Sequence, residues 1–152
     1  MYREKHESFM LVALNEAKKA FKKGEIPIGA VAVLDGYMLA KGHNEVIAKN
    51  DSTAHAEIIV LRKASKILKN YRLENVTFYV TVEPCIMCYS ALVNARIKAL
   101  YFGASNDKWG YMTKFGLDSS LYNHHIKIYG GILASQSEQI LKNFFKEKRL
   151  GD

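Results

Sequence analysis

Cysteine, proline and long apolar runs are all scarce in this chain of 152 residues. Its two cysteines, Cys85 and Cys88, are too few and too close together to form a disulfide framework. Only 2 prolines and 10 glycines leave little material for a flexible linker. The longest apolar stretch, residues 26–34, is far too short to span a bilayer. These shortages exclude a disulfide-stapled scaffold and a transmembrane helix.

The remaining composition is that of an ordinary globular domain. Apolar residues make up 49% and charged residues 24% of the chain, which excludes a disordered or collagen-like protein. The length suits one domain, so we predict a single domain over residues 1–152 that can bury a core without metals or disulfides. The first residues are charged and lack the apolar segment of a secretory signal, so we expect a cytoplasmic protein.

Positive charge is in excess. The 22 basic residues outnumber the 15 acidic ones, which gives a formal net charge of +7. Such an excess favours an anionic partner, RNA or DNA above all, but it is equally compatible with a role in solubility alone. The basic residues cluster in the first and last predicted helices, at Lys18, Lys19, Lys22, Lys23, Lys142, Lys146, Lys148 and Arg149.

Hydrophobic periodicity and turn residues predict an alternating order of helices and strands. The predicted helices are an N-terminal one that Gly24 ends, and residues 54–68, 84–95 and 136–149. The predicted strands are residues 29–34, 37–44, 76–82, 98–102 and 126–129, the first two joined by an Asp35-Gly36 hairpin. Candidate N-caps of the 54–68 helix are Asp51, Ser52 and Thr53. Residues 103–123 show no sustained period, and the whole order favours an α/β fold with one mixed sheet.

Two short motifs stand where predicted helices begin: His55-Ala56-Glu57 and Pro84-Cys85-Ile86-Met87-Cys88. On a helix, Cys85 and Cys88 lie three residues apart on one face, so both sulfurs can bind one ion. His55 adds a nitrogen ligand from the neighbouring helix start, and this donor set suits zinc. Three protein ligands leave the fourth tetrahedral position open to water, which is typical of a catalytic site.

Glu57 lies two residues after His55, on a different side of a regular helix. It is therefore poorly placed to bind the same ion but well placed to flank a molecule that approaches it. A carboxylate there can take a proton from zinc-bound water and hand it to a leaving nitrogen. In isolation, a glutamate in a first turn would be explained by the helix dipole alone.

Two other interpretations of the cysteine pair are weaker. A thioredoxin-like redox pair would follow a strand with a Trp-Cys sequence, and this chain has none at that point. A structural zinc site needs a fourth Cys or His. The remaining histidines show no paired spacing with the motif; they are His6, His43, His124 and His125.

The paired motifs match the H-x-E…P-C-x-x-C signature of zinc deaminases. At these residues the chain resembles the cytidine/deoxycytidylate deaminase superfamily, and most of all the bacterial tRNA-specific adenosine deaminases. The matching stretches are residues 24–31, 42–44, 53–57, 82–88, 103–104, 123–124, 131–133 and 144–145. The resemblance implies a three-layer α-β-α cytidine-deaminase-like fold, with a central mixed sheet of about five strands and helices on both faces. It also implies hydrolytic deamination of adenosine to inosine at the wobble position of a tRNA anticodon, by a homodimer.

The resemblance further implies a role for particular positions. His55, Cys85 and Cys88 resemble the ligands of one Zn²⁺ per subunit, and Glu57 resembles the proton shuttle. Asn44 matches an asparagine that hydrogen-bonds the flipped base, although an Asx turn explains it equally well from the residues alone. The other residues expected to contact the substrate are Ala56, Pro84, Asn106, Asn123 and Phe144. We expect Phe144 or its neighbour Phe145 to lie in the helix core.

Departures from the family fall in the substrate-facing segments. Asn106 stands where family members commonly carry Asp ahead of Lys-x-Gly, which removes an acceptor charge near the nucleic-acid backbone. Residues 111–116 replace a segment that is often rich in Gly and Ala, the loop to Asn123 is a little shorter, and His125 stands in place of Arg. The metal motif is untouched, but the identity of the RNA and any acceptance of DNA stay open.

Three functions remain from the sequence. The first is tRNA adenosine deamination. The second is a free nucleobase or nucleoside deaminase acting on guanine or cytosine on the same scaffold, for which a net charge of +7 has no evident use. The third is a zinc-stabilised RNA-binding module without catalysis, which leaves Glu57 without a role.

Overall fold

The computed structural model describes residues 2–117 and 123–151. Its helices are α1 (Tyr2–Lys22), α2 (Val46–Lys49), α3 (Ala56–Leu68), α4 (Ile86–Asn94) and α5 (Ala134–Gly151). Its strands are β1 (Gly29–Leu34), β2 (Tyr37–His43), β3 (Val76–Val82), β4 (Ala99–Ala104) and β5 (Lys127–Tyr129). The predicted bounds of β1 and β3 are confirmed, because β1 is a run of small, β-branched and other apolar residues and β3 a run of β-branched and aromatic residues.

The five strands form one mixed sheet in the order β2-β1-β3-β4-β5. β1 is antiparallel to both β2 and β3, whereas β3, β4 and β5 are parallel. The Asp35-Gly36 hairpin joins β1 to β2 with φ angles of 51° and 82°, the left-handed pair that such a turn requires. β3 therefore lies at the centre, with the chain leaving its carboxyl end towards α4.

Helices cover both faces of the sheet because successive strand residues point to opposite sides. Ala32 and Phe78 pack with residues of α3 and α4 in one buried cluster. Val33 and Tyr79, their neighbours along the two strands, pack with Met10 of α1 in the other. The predicted three-layer α-β-α arrangement is confirmed.

The helix starts differ from the prediction. α3 and α4 begin at Ala56 and Ile86, each about two residues late, and their N-cap residues are His55 and Cys85. The candidate N-caps Asp51, Ser52 and Thr53 are wrong. The Asp51 carboxylate instead accepts the Thr53 N–H (2.9 Å) in an Asx turn, a local alternative open to any aspartate ahead of a helix.

Two further differences have physical causes. The sequence did not predict the four-residue helix α2, whose N–H groups at Ile47 and Ala48 donate to the buried carboxylate of Glu25, a distant residue. In the segment predicted to lack a period, β4 extends to Ala104 and residues 118–122 lie outside the described part of the chain.

None of the helices in residues 2–117 and 123–151 is long and apolar enough to cross a membrane.

We predict that Gly29→Ala destabilises the fold. A β-carbon at Gly29 would come within 1.9 Å of the Ala13 carbonyl oxygen, so it would push α1 away from β1. The free energy of unfolding, measured by urea titration, should fall by about 1–3 kcal/mol. Gly151→Ala is the matched control, since nothing lies within 4 Å of a β-carbon there. Equal unfolding midpoints for the two variants would contradict this close packing.

Candidate metal centre and active site

The two sequence motifs meet where β3 ends. His55 is the N-cap of α3 and Cys85 the N-cap of α4, and both have extended backbone angles, with φ of −71°. Neither side chain makes a capping hydrogen bond, so both are available for another partner. Cys88 lies one turn into α4. The three predicted ligands are thus brought together from two helix starts.

Their donor atoms have the spacing that zinc requires. The Nδ1 atom of His55 lies 3.6 Å from the Cys85 sulfur and 3.5 Å from the Cys88 sulfur, and all three donor atoms lie within 4.8 Å of one another. With usual zinc–sulfur and zinc–nitrogen bond lengths, the edge of a tetrahedron between S and N is about 3.6 Å. The residues therefore fit a zinc ion with two sulfur ligands and one imidazole.

The pKa values of the Cys85 and Cys88 thiols are shifted in opposite directions. A hydrogen bond from Cys88, with a further one from His55, outweighs burial and lowers the pKa of Cys85 to about 4. The same hydrogen bond, together with burial, raises the pKa of the fully buried Cys88 thiol. The pair therefore holds one proton between two sulfurs. A cation bound between them would replace that proton and leave both as thiolates.

Glu57 lies beside this trio without joining it. Among the described residues, the group able to hold a metal consists of His55, Cys85 and Cys88 alone. Burial raises the pKa of the Glu57 carboxyl to about 7, and the negative charge of Cys85 also raises it, while His55 acts in the opposite direction. A dication among the three ligands would lower it again. A carboxyl group with such a pKa can both accept and release a proton near neutral pH.

Asn44 lies next to the same helix start. Its Oδ1 accepts the Ala56 N–H at 2.7 Å, so this buried side chain caps α3 from outside the helix. The amide nitrogen Nδ2 is then the group that can donate to a substrate. Ala56 and Pro84 are both buried, and the Pro84 carbonyl oxygen accepts the Tyr111 N–H (3.0 Å).

The remaining predicted substrate residues lie at separate places. The Asn106 side chain makes a hydrogen bond within its own loop, in which Oδ1 accepts the Trp109 N–H (3.0 Å). Asn123 is exposed, and its carbonyl oxygen accepts a hydrogen bond from Arg96 (3.1 Å). Phe144 is buried against Phe21 of α1, with ring centroids 5.7 Å apart. The exposed ring of the pair is that of Phe145. Substrate contact by these residues stays a prediction.

Sequence reasoning missed Glu83, the residue between β3 and the metal-ligand motif. Its carboxylate is only 2% exposed and accepts N–H groups from Asn106 (3.1 Å), Met112 (3.0 Å) and Thr113 (2.9 Å), as well as the Thr113 hydroxyl. It thereby fastens the loop after β4 to the segment that carries Cys85. A charged residue inside an apolar stretch was the available signal, since a buried carboxylate needs partners.

A second missed group supports Asn44. His43 and Glu16 are both buried and form a hydrogen bond of 3.0 Å between Nδ1 and Oε1, which ties the end of β2 to α1. The other ring nitrogen of His43, Nε2, lies 3.3 Å from the Lys23 ammonium. The strand end that presents Asn44 is therefore held by Glu16 of α1 and by Lys23, which directly follows α1.

Comparison with known proteins identifies the class. The family model of the MafB19-like deaminases matches residues 4–149. The fold and the site thus define a deaminase of the cytidine deaminase superfamily.

Individual relatives show which family within this superfamily the chain belongs to. The tRNA-specific adenosine deaminase of Buchnera aphidicola is 46% identical over 144 residues, covering 93% of this chain and 94% of that protein. A solved structure from studies of A-to-I editing by tRNA:A34 deaminases at the wobble position of transfer RNA has a TM-score of 0.83 and 43% identity, covering 88% of this chain and 99% of that one. The chain belongs to the tRNA-specific adenosine deaminase family. A guanine deaminase from Bacillus subtilis matches less of its length, with 43% identity, a TM-score of 0.63 and coverage of 66% and 64%.

We predict that Cys88→Ala abolishes stable zinc binding, because two protein ligands remain where three are needed. Zinc per chain, measured by atomic emission after gel filtration, should fall from one to near zero. Glu57→Gln is the matched control: it changes a buried neighbour of the same ion and should keep its metal. Full zinc occupancy in the Cys88 variant would remove that residue from the ligand set.

Proposed function

We propose that this protein hydrolyses adenosine to inosine at the wobble position of a tRNA anticodon, with release of ammonia. The observation that carries the chemistry is the meeting of His55, Cys85 and Cys88 with the buried carboxyl of Glu57. The substrate is supported by the full-length similarity to tRNA-specific adenosine deaminases and to the tRNA:A34 deaminase structure.

The chain's own residues supply binding and proton transfer. His55, Cys85 and Cys88 would hold a zinc ion, which would lower the pKa of a bound water so that the water could act as a nucleophile at neutral pH. Glu57 takes one proton from the attacking water and delivers it to N1 of the adenine, then takes the second proton from the same oxygen and delivers it to the leaving amine. The Asn44 amide donates a hydrogen bond to the flipped base. The products are inosine and ammonia, and no other reactant is needed.

Three further expectations belong to this proposal. One Zn²⁺ per subunit is expected from the one ligand trio found in residues 2–117 and 123–151, and a homodimer is expected from the family resemblance. Cytoplasmic location suits an enzyme that acts on tRNA. A single catalytic domain over residues 1–152 is supported by the two buried clusters, which pack on opposite faces of one sheet. Sedimentation equilibrium measures the subunit number.

The direct test is inosine formation by the purified protein on an anticodon stem-loop RNA with adenosine at the wobble position. The same RNA with guanosine there is the matched control. Free guanine, cytosine, cytidine and adenosine run in parallel with ammonia as the readout, because the guanine deaminase similarity makes a free base the main competitor. Inosine in the RNA supports the proposal. Ammonia from a free base, with the RNA unchanged, would overturn it.

We predict that Glu57→Gln lowers kcat on the stem-loop by about a thousandfold, since an amide cannot carry the proton. The variant should keep its zinc and its affinity for RNA, because the side chain has the same shape and is not a ligand. Steady-state kinetics, metal analysis and RNA binding separate these effects. A variant that turned over at the rate of the wild type would contradict the proton-shuttle role.

We predict that basic residues near the end of α5 bind RNA phosphates. Replacing Lys146, Lys148 and Arg149 with Gln should weaken RNA binding and reduce the slope of log affinity against log salt by up to about 2. The matched control removes three charges elsewhere, at Lys63 and Lys66 of α3 and at its C-cap residue Lys69. An equal slope for the wild type and the α5 variant would show that this charge is only a solvated face.

A further inference from the structure

A loop beside the metal ligands carries exposed side chains that the proposed mechanism does not use. This Trp109 loop, residues 106–115, follows β4. Its Gly110 forms a β-bridge with Cys85, and the next residue, Tyr111, hydrogen-bonds the Pro84 carbonyl oxygen. Trp109 is therefore adjacent in sequence to the residue that pairs with a metal ligand.

The backbone of the Trp109 loop is firmly held. The buried Glu83 carboxylate binds it at Asn106, Met112 and Thr113. The loop also makes its own turn, in which the Trp109 N–H donates to Asn106 Oδ1 (3.0 Å) and the Gly110 N–H to the Asn106 carbonyl oxygen (2.9 Å). The indole thus stands on a fixed backbone, and binding through it would cost little loop ordering.

Trp109 is the single tryptophan of the chain, and 64% of it is exposed. Met112 and Phe115 on the same loop are also exposed, and so are Lys108 and Lys114. An aromatic face flanked by cations is the combination that binds single-stranded nucleic acid, because every base has a face to stack and every nucleotide a phosphate.

We propose that Trp109 is a stacking platform for a nucleobase next to the adenosine that is deaminated, with Lys108 and Lys114 supplying charge for the adjoining phosphates. The inference rests on the proposed function, since it presupposes an RNA substrate. When a base is flipped out, its neighbours lose a stacking partner. An indole beside the metal-ligand segment replaces that partner without selecting the identity of the neighbour.

A second copy of the chain is the other macromolecule that could cover this ring. Charge favours RNA. A second copy of the chain carries the same formal net charge of +7, so covering the ring with it brings positive charge towards Lys108 and Lys114. A polyanion meets the same loop with complementary charge throughout.

Fluorescence tests the contact directly, because indole emission in this chain reports on position 109 alone. The Glu57→Gln variant is titrated with the stem-loop, and saturation is established independently by filter binding. We expect RNA to quench the emission, and a duplex without the unpaired loop not to quench it. Unchanged emission at saturating stem-loop would overturn the inference. A blue-shifted emission in free protein that is lost on dilution would assign the ring to a second copy instead.

Kinetics provide the second readout. Trp109→Ala should raise KM for the stem-loop by about tenfold, within the range for loss of one base–aromatic stack, while kcat stays within about twofold. Trp109→Phe should restore most of the loss, since stacking needs a ring and not an indole. Tyr37→Ala is the matched control: this residue is 78% exposed and starts β2, whose other end leads to Asn44.

The outcomes are distinguishable from those of the proposed function. RNA deamination with unchanged KM in Trp109→Ala would overturn the stacking role and leave the activity standing. No inosine from the wild-type protein on any RNA would overturn the proposed function, and the stacking role with it.

Discussion

Everything in the candidate site depends on two helices that begin side by side, each with a residue able to bind a metal at its N-cap. An N-cap residue has extended backbone angles, so its side chain leaves the helix axis and is free to reach a neighbour. His55 and Cys85 both use this freedom for each other instead of for capping, and Cys88 joins them one turn later. The donor atoms thus lie at the edge lengths of a zinc tetrahedron through folding alone. Binding an ion then needs little rearrangement.

The cap that His55 does not provide comes from elsewhere. The Asn44 oxygen accepts the Ala56 N–H, so the residue that is predicted to contact the substrate also caps α3. Asn44 follows β2, and its neighbour His43 is tied to Glu16 of α1. The first helix, though distant in sequence, therefore bears on the position of a group expected to touch the base.

Three buried glutamates have different roles because their hydrogen-bond partners and neighbouring charges differ. At Glu16, hydrogen bonds from Lys19 and His43 outweigh burial and lower the pKa of the carboxyl, which suits a structural charge. Glu83 is surrounded by N–H donors and acts as an anchor for a loop. At Glu57, burial dominates and the pKa rises to about 7. Only the last environment favours a group that exchanges protons, and it is the one beside the metal ligands.

The sequence was a good guide where the signal is local. Strands β1 and β3 have the predicted bounds because their residue types alone favour a buried strand, and the spacing of the two motifs predicted the meeting of His55, Cys85 and Cys88. The sequence was a poor guide where the local structure depends on a residue that is distant in the chain. α2 depends on Glu25, the start of α3 on Asn44, and the Trp109 loop on Glu83, and no local pattern reveals those partners. Phe144 could not be assigned to core or surface before its packing against Phe21 was known.

The proposed mechanism requires that His55, Cys85 and Cys88 hold one zinc ion, with a fourth position left for solvent or substrate. X-ray absorption at the zinc edge of the purified protein tests it most directly. We predict two sulfur neighbours at about 2.3 Å and two nitrogen or oxygen neighbours at about 2.0 Å, only one of them an imidazole. A different sulfur count, or a second imidazole that closes the fourth position, would show that these three residues do not form an open zinc site.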